Sequence, residues 1–223
     1  IWFDDYVTAE TQVHIHWPDQ DVKTLWAYPE DLESLVIGYC AIEFCDDREL
    51  PELVKAEGSD FYLRPLHVVS ESEKVYFSKL TRELFLDNMA RFMGLQGNWE
   101  QTGSFHRAAL FDPLKNDFVH HVEDIGRHNC LDRLKGWILK NSLSAGKLIL
   151  FVSARGTGSL VLKAIKAGFQ VMVSRSALTT ASIELANQHG LTLIGFAREN
   201  RFSVFADPLG LVDSEGTAAP CPC

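Results

Sequence analysis

The sequence HVEDIGRHNCLD, residues 121–132, marks the passage from a strand to a helix. An apolar run ends at two carboxylates, a glycine follows, and the apolar residues then recur at helical spacing. The turn collects an arginine, two histidines and an asparagine, which packing alone does not explain. We therefore expect this turn to form one wall of a binding site.

Strands and helices alternate on both sides of this turn. A strand is expected at residues 106–111, and further strands at 118–122, 147–152, 169–173 and 191–195. Helical spacing predicts helices at residues 128–140, 159–167 and 178–189, and Gly168 and Gly190 stand where helix caps are needed. Because such alternation produces parallel strands with right-handed crossovers, the sequence predicts an α/β sheet.

The N-terminal part has a different pattern. Strands are expected at residues 11–17, 23–27 and 61–69, a polar loop at 70–74, and helices starting at Pro29 and covering 78–93. We therefore divide the chain into a mixed α+β part (1–100), an α/β part (101–206) and a loose tail (207–223).

Composition excludes several classes of protein. A net charge of -9 argues against nonspecific nucleic-acid binding, because affinity for phosphate backbones depends on Lys and Arg. No apolar run approaches the roughly 20 residues that a bilayer helix needs, so we expect no membrane partner. The chain has five cysteines, an odd number that is too few for a disulfide scaffold, which favours a reducing cytoplasm.

The loops that follow parallel strands should meet at one edge of the sheet, where open α/β folds bind ligands. These loops, at residues 123–129, 153–158, 174–177 and 196–201, carry many of the basic groups of an acidic chain. They hold Arg127, Arg155, Arg175, Arg198 and Arg201. Helix N-termini behind the loops also favour anions, and glycines and hydroxyls in SARGTGS (153–159) suit a phosphate.

A phosphate-bearing ligand is therefore expected, although any one of these arginines alone fits an ordinary surface position. The glycine-rich loop matches neither a Walker A sequence nor the spaced dinucleotide fingerprint. Asp124 either caps the following helix or accepts hydrogen bonds from a guanine or ribose. His128 and Asp132 are four residues apart and so share one helix face.

Several sequence blocks occur in the order typical of one family. They are TGSFH (102–106), EDIGRHN (123–129) with Asp132, SAR (153–155), SRS (174–176) and GFARENR (195–201). Over residues 25–206 the chain resembles the formate dehydrogenase accessory sulfurtransferase family. The resemblance implies a cytidine-deaminase-like βαβαβ sheet domain, a homodimer, and a role in making formate dehydrogenase active. Such proteins take sulfur from a cysteine desulfurase as a persulfide and pass it to the molybdenum bis-guanine-dinucleotide cofactor.

The resemblance also implies which residues hold that cofactor, with a guanine nucleotide as its mimic and no resident metal. The segment 196–201 matches the cofactor-binding motif of the family. The implied cofactor-binding residues are Gly103, His106, Asp124, Arg127, His128, Asn129, Asp132, Arg155, Ser174, Ser176, Phe196, Ala197, Arg198, Glu199, Asn200 and Arg201.

The chain departs from the family at the sulfur carrier. The persulfide cysteine usually stands in a Cys-x-x-Cys loop, but residues 68–80 contain no cysteine. The protein is then either a sulfurtransferase whose loop is absent from this sequence, or a noncatalytic chaperone that only holds the cofactor. Arg107 and Arg175 also stand where the family more often has smaller residues.

The cysteines that are present do not resolve this choice. Cys40 lies inside a predicted helix, where burial is expected. Cys130 begins a helix, a position that can depress a thiol pKa, but its spacing with Leu131 favours burial. Cys221 and Cys223 either replace the usual sulfur-carrying cysteines or have no role in sulfur transfer.

A remote alternative is a zinc deaminase. His121 and Glu123 match the His-x-Glu half of that signature, in which the histidine binds zinc and the glutamate moves protons. The second half requires Pro-Cys-x-x-Cys at a helix start, whereas PCPC at residues 220–223 has a different spacing.

Overall fold

The computed structural model describes residues 7–68, 77 and 79–213, which form two compact units. The first unit contains residues 7–68, 97–107 and 122–143. The second contains residues 77, 79–96, 108–121 and 144–213. Each unit is thus built from several chain segments, whereas the sequence division followed consecutive parts of the chain.

The first unit contains a four-stranded sheet with strand order β2-β1-β4-β3. Its strands are β1 (Thr11–His16), β2 (Lys23–Ala27), β3 (Glu49–Glu57) and β4 (Asp60–His67). Strand β1 pairs antiparallel with β2 and parallel with β4. The strands expected from the sequence are confirmed, but β3 was missed. It is a mostly exposed edge strand with Pro51 and several charges, so it lacks the alternation of a half-buried strand.

Two helices of the first unit cross at a pair of glycines. They are α1 (Leu32–Glu43) and α4 (Arg127–Lys140). A Cβ at Gly38 would collide with the carbonyl oxygen of Asp132, and one at Gly136 with that of Ser34. Only glycine lets the two backbones approach this closely. Helix α1 begins later than the predicted Pro29, because Asp31 caps it by accepting a hydrogen bond from the Ser34 N–H at 3.3 Å.

The core of the first unit lies between α1 and one face of its sheet. It is formed by side chains that point inward from alternate strand positions and from one side of the helix. These residues are Val13, Ile15, Ala27, Leu35, Val36, Cys40, Phe61 and Leu63.

A six-stranded sheet, most of which lies in the second unit, has the order β10-β9-β8-β7-β5-β6. Its strands are β5 (His106–Asp112), β6 (Asp117–Asp124), β7 (Ile149–Val152), β8 (Val171–Ser174), β9 (Thr192–Arg198) and β10 (Arg201–Ala206). Strands β7, β8 and β9 are parallel, which confirms the α/β prediction. The sheet is mixed, because β5 is antiparallel to β7 and stands between it and β6.

Residues 196–201 form a hairpin and not the predicted loop. They contain the end of β9, a turn at Glu199 and Asn200, and the start of β10, which pairs antiparallel with β9. Glu199 adopts a left-handed φ of 56°. The hairpin was not predicted because its turn contains no glycine, the usual mark of a tight hairpin turn.

Three of the four remaining helices agree with the predicted ones apart from their ends, whereas the four-residue helix at Trp99–Thr102 was not predicted. The four helices are α2 (Arg82–Met93), α3 (Trp99–Thr102), α5 (Gly158–Lys166) and α6 (Thr180–His189). Helix α2 starts later than predicted because Thr81 caps it through the Leu84 N–H. A 3-10 turn at Ala145–Lys147 precedes β7, which shortens the predicted strand. The predicted loop at 70–74, Ser78, Cys221 and Cys223 lie outside the described residues.

The core of the second unit lies where α2 packs against the sheet. Its buried members include several large aromatic and aliphatic side chains. They are Leu80, Phe85, Met89, Phe92, Ala109, Phe111, Ile149, Phe151, Val171, Val173, Ile194, Ala197 and Val212.

Residues 207–213 are anchored, in contrast to the loose tail that composition suggested. The Asp207 carboxylate accepts hydrogen bonds from the Thr192 hydroxyl at 2.9 Å and from the Leu211 and Val212 N–H groups at 2.8 and 3.0 Å. Val212 also forms a β-bridge with Leu80. Of the helices in the described part of the chain, none combines the length and the apolar character needed to cross a bilayer.

Candidate functional site

The Asp124 carboxylate is the centre of the strand-to-helix turn in the first unit. It is fully buried and accepts hydrogen bonds from the N–H groups of Tyr28 at 3.3 Å and Gly126 at 2.9 Å. The Asn129 amide donates to it at 2.8 Å, and Arg133 donates through Nε and Nη2 at 2.8 and 2.7 Å. These donors leave no exposed edge for a ligand. Neither expected role of Asp124 is therefore correct, because the helix cap is Gly126 and the carboxylate holds the turn from inside.

Arg133 was missed by the sequence analysis, although it connects two parts of this unit. Its guanidinium donates to the carbonyl oxygens of Tyr28 at 2.6 Å, of Asp31 at 3.2 Å, and of Glu30. The residue is 3% exposed. Arg133 lies three residues after the buried Cys130 and therefore on the same packed face of the helix. This spacing could have predicted from the sequence that Arg133 is buried.

The block EDIGRHN separates into buried and partly exposed residues. Asn129 and Asp132 are buried, and the Asn129 amide also donates to the Trp26 carbonyl at 2.8 Å. Arg127 and His128 occupy the first turn of α4 and are partly exposed. The Arg127 Nε is buried without a hydrogen-bond partner among the residues that the structure describes. Arg127 and His128 are thus the predicted site residues of this turn that a ligand can reach.

Other predicted residues near this turn have structural roles. Gly103 ends α3 with a left-handed φ of 64°, and its N–H donates to the Trp99 carbonyl at 3.0 Å. The His106 carbonyl accepts a hydrogen bond from the Cys130 thiol at 3.4 Å. Burial raises the pKa of Cys130, and the nearby Asp124 carboxylate raises it further. The expected burial of Cys130 is confirmed, and its helix-start position does not activate the thiol.

Glu123 forms a buried ion pair with Arg107. The Glu123 Oε1 atom lies 2.7 Å from the Arg107 Nη2 and 2.8 Å from its Nε. The same carboxylate accepts hydrogen bonds from the Asn98 and Trp99 N–H groups at 2.5 and 3.4 Å. These contacts occupy the group to which the deaminase alternative assigned proton transfer. Within residues 7–68, 77 and 79–213, no group of three or more His, Cys, Asp or Glu side chains is arranged to hold a metal ion.

In the second unit, hydrogen bonds join the loops that follow β7, β8 and β9. The Ser174 hydroxyl donates to the Ala154 carbonyl at 2.8 Å and accepts from the Ser176 N–H at 3.0 Å. The Gly156 N–H donates to the Ala177 carbonyl at 3.0 Å, and the Phe196 N–H to the Ser176 carbonyl at 3.0 Å. The expected meeting at one sheet edge is confirmed for the segments 153–158 and 174–177 and for the start of 196–201, whereas the fourth expected segment, 123–129, belongs to the first unit. Ser174 is buried, so its hydroxyl supports the loops from beneath.

These joined loops and the hairpin that follows them carry four arginines that have no ion-pair partner among the described residues. Arg155 and Arg201 are exposed, and Arg175 and Arg198 are half-buried. In the described part of the chain none of the four approaches a carboxylate, and the Arg198 Nε is buried with no hydrogen-bond partner. Guanidinium groups without carboxylate neighbours attract anions locally, although the net charge of the chain is -9.

The hairpin that carries Arg198 and Arg201 is strained. Phe196 has a φ of 51°, an unusual value for a bulky residue. The pairing of Gly195 with Ser203 and of Arg198 with Arg201 leaves Phe196 and Ala197 opposite the single residue Phe202. Such bulges redirect side chains, and backbone strain of this kind concentrates at functional sites. Asn200 and Glu199 are exposed at the tip.

Comparisons with known proteins agree with this architecture. Residues 55–211 match the model of the FdhD/NarQ family. The protein named FdhD from Methanocaldococcus jannaschii is 32% identical over 203 residues, which cover 91% of this chain and 88% of that protein. A sulfur carrier protein FdhD from Staphylococcus aureus is 31% identical over 244 positions, covering 95% of this chain and 91% of that protein. Because this chain has only 223 residues, the staphylococcal protein contains insertions relative to it.

A solved structure has the same fold. It is described as that of a formate dehydrogenase accessory protein from Desulfotalea psychrophila, and it matches with a TM-score of 0.78 at 21% identity. The match covers 94% of this chain and 91% of that one. The family model and the relatives together show that this chain belongs to the FdhD/NarQ family.

Proposed function

We propose that this chain is an accessory protein of formate dehydrogenase that binds the molybdenum bis-guanine-dinucleotide cofactor as its substrate. In this proposal it receives persulfide sulfur from a cysteine desulfurase and transfers it to the cofactor. Family membership and the names of the relatives support the accessory and sulfur-carrying roles. The observation that carries the cofactor proposal is a set of four arginines in the second unit that form no ion pair with any residue that the structure describes.

The chemistry of the ligand suits these arginines. A guanine dinucleotide carries a pyrophosphate group, and guanidinium groups bind phosphate oxygens through paired, charge-assisted hydrogen bonds. Arg198 and Arg201 face each other across the β9–β10 pairing, so they are the leading candidates for pyrophosphate contacts. Arg155 and Arg175 add positive charge from the neighbouring loops. Arg127 and His128, which belong to the first unit and are partly exposed, stay predictions from the sequence.

Calorimetric titration with guanosine diphosphate tests the cofactor site. We expect the double variant Arg198→Ala/Arg201→Ala to bind much more weakly, by roughly tenfold or more for each guanidinium lost, since hydrogen bonds to charged groups contribute about 1.5–3 kcal/mol. The matched control is Arg48→Ala/Arg64→Ala, which removes two exposed arginines of the first unit. Equal affinity of the wild type and the Arg198/Arg201 variant would refute the site.

A noncatalytic cofactor chaperone is the second candidate function. Residues 68–80 contain no cysteine, and the thiols of Cys40 and Cys130 are buried. Burial also raises the pKa of the half-buried Cys45 to about 11. Incubation with a cysteine desulfurase and free cysteine, followed by mass spectrometry of the intact chain, separates the two functions. A sulfurtransferase gains one sulfur atom on a cysteine, whereas a chaperone gains none while still binding the nucleotide.

The proposal includes a homodimer in the cytoplasm, with no nucleic-acid or membrane partner. Sedimentation of the purified chain tests the dimer, because a single chain has a mass of 25.1 kDa. A monomer at micromolar concentration would contradict the proposed dimer. Fractionation of the cells that produce the protein tests the location.

A further inference from the structure

Leu178 fills a space between two glycines of the second unit. It follows β8 in sequence and forms an isolated parallel β-bridge with Gly156, in the loop after β7. A Cβ at Gly156 would collide with the Leu178 Cδ2 atom. On the other side, a Cβ at Gly195 of β9 would lie 2.9 Å from both Cδ1 and Cγ of Leu178. The Leu178 side chain therefore fills the space at Gly156, and it shares the space at Gly195 with the Phe205 ring, whose Cε2 atom lies at the same 2.9 Å.

The leucine is held from both sides. If its side chain moved away from Gly156, it would move towards Gly195. A shift that relieves crowding at one glycine therefore creates crowding at the other. Backbone hydrogen bonds fix the same place, because the Thr179 N–H donates to the Gly156 carbonyl at 3.3 Å and the Gly156 N–H to the Ala177 carbonyl at 3.0 Å. The position of Leu178 thus sets the separation of the loop after β7 from strand β9.

Each segment that contacts Leu178 or contains it also carries an arginine of the proposed anion site. Arg155 immediately precedes Gly156, Arg175 lies three residues before Leu178, and Arg198 lies three residues after Gly195. A pyrophosphate group has a fixed size, so guanidinium groups bind it together only at a matching separation. In enzymes, misplacement of positioning groups by about 1 Å is enough to cost roughly a hundredfold in rate, which shows how strongly such separations act.

We infer that Leu178 is a positioning residue for pyrophosphate recognition: it contacts no ligand itself, but its side chain spaces the arginine-bearing segments. This inference rests on the proposed function. It identifies an apolar residue, outside every sequence block quoted above, as a determinant of nucleotide affinity.

Calorimetry with guanosine diphosphate on the full chain tests the inference. We expect Leu178→Ala to weaken binding by about tenfold or more, whereas Leu178→Met, which keeps the volume, retains binding. The control is Leu84→Ala, which shortens another half-buried leucine of the second unit, packed on its core. It should lower the melting temperature but leave the affinity unchanged.

A double variant shows whether the two substitutions affect nucleotide affinity through the same contact, which general destabilisation of the fold would not mimic. Gly156→Ala alone should weaken binding, because its methyl group pushes on Leu178, its only neighbour closer than an ordinary contact. In the Leu178→Ala background the same change should have no further effect, since the obstructing side chain is gone. Gly156→Ala also tests the spacing with Leu178 intact, in case Leu178→Ala does not fold.

The outcomes separate the inference from the proposal beneath it. Wild-type affinity in both Leu178→Ala and Gly156→Ala, or affinity losses that simply add in the double variant, would overturn the role of Leu178 and leave the anion site standing. A wild-type chain that does not bind guanosine diphosphate would overturn the anion site and the inference with it.

Discussion

Arg133 donates two hydrogen bonds to a single oxygen of Asp124, from Nε at 2.8 Å and from Nη2 at 2.7 Å. Both residues are buried, and the rest of the guanidinium satisfies backbone carbonyls that precede α1. The pair therefore fixes the turn that presents Arg127 and His128. Breaking it leaves a buried carboxylate without its charge partner.

We expect Arg133→Met to lower the free energy of unfolding by about 3–5 kcal/mol, as removal of one partner of a buried pair does. Urea denaturation measures the change. The control is Arg64→Ala, because Arg64 pairs with Glu52 at the surface and such pairs contribute at most about 1 kcal/mol. A loss below about 1 kcal/mol in Arg133→Met would show that the pair does not stabilise the turn.

The glycine crossing of α1 and α4 predicts that Gly136→Ala destabilises the protein. Alanine is favoured over glycine in helices by about 1 kcal/mol, but here its methyl group would collide with the Ser34 carbonyl. We expect the steric cost to exceed the helical gain and the melting temperature to fall. Gly94→Ala is the matched control, because its Cβ would lie at an ordinary 3.6 Å from the nearest atoms. Equal melting temperatures for the two variants would contradict the close approach.

The described cysteines should differ in their response to pH. Burial, followed by the charges of Glu49 and Asp46, raises the pKa of Cys45 from 9.0 to about 11. Because the thiolate is the reactive form, alkylation of Cys45 by iodoacetamide should rise about tenfold per pH unit from pH 7 until it levels off near pH 11. Cys40 and Cys130 should stay unmodified in the folded chain, since both are buried. Peptide mass spectrometry of a Cys221→Ser/Cys223→Ser chain gives the rates, and a plateau for Cys45 below pH 9 would contradict the shift.

The same shift has a consequence for stability. A thiol whose pKa is raised by folding stabilises the folded state below its ordinary pKa, and this contribution is lost as pH rises through the folded value. The unfolding free energy should therefore fall between pH 9 and pH 11, and Cys45→Ala should make the fall shallower. Denaturation at a series of pH values across that range measures the unfolding free energy of the wild type and of Cys45→Ala. If the two free energies fell in parallel as pH rises, groups other than Cys45 would cause the loss of stability.

A strain that lacks this protein should assemble formate dehydrogenase that contains molybdenum but is inactive. The reason is that the proposed step adds sulfur to a cofactor that is already complete in metal. Metal analysis and activity assays of the purified enzyme test this, with wild-type and Arg198→Ala/Arg201→Ala genes supplied in trans. Restoration of activity by the wild-type gene alone is the expected result. Normal enzyme activity without any copy of the gene would remove the proposed role.

The sequence predicted the parts of the fold whose signal is local. Alternation of apolar residues located β1 and β2, and helical spacing located α4 to within one residue. Strand β3 was missed because an exposed edge strand buries little and so has no clear apolar period. The order of the large sheet was not predictable from alternation either, since the placement of β5 between β6 and β7 depends on long-range pairing.

For the candidate site, the sequence identified the loops but not the roles within them. Parallel strands bring their carboxyl ends together, so the meeting of the loops after β7, β8 and β9 followed from element order. The roles depend on burial, which a single sequence does not reveal. Asp124 and Ser174 look like ligand contacts in sequence, yet both are enclosed and serve the backbone. Leu178 has no chemical signal at all, because its importance comes from two glycines distant from it in the chain.

The interleaved make-up of the first unit bears on how the chain is synthesised. Helix α1 emerges early, but its glycine-marked face packs on α4, which ends at Lys140. A nascent chain that stops at residue 100 therefore contains the four-stranded sheet and α1 but not the helix that packs on the other side of α1. The first unit can close only after residue 140 has left the ribosome, so the face of α1 that packs on α4 remains open to chaperones throughout that interval.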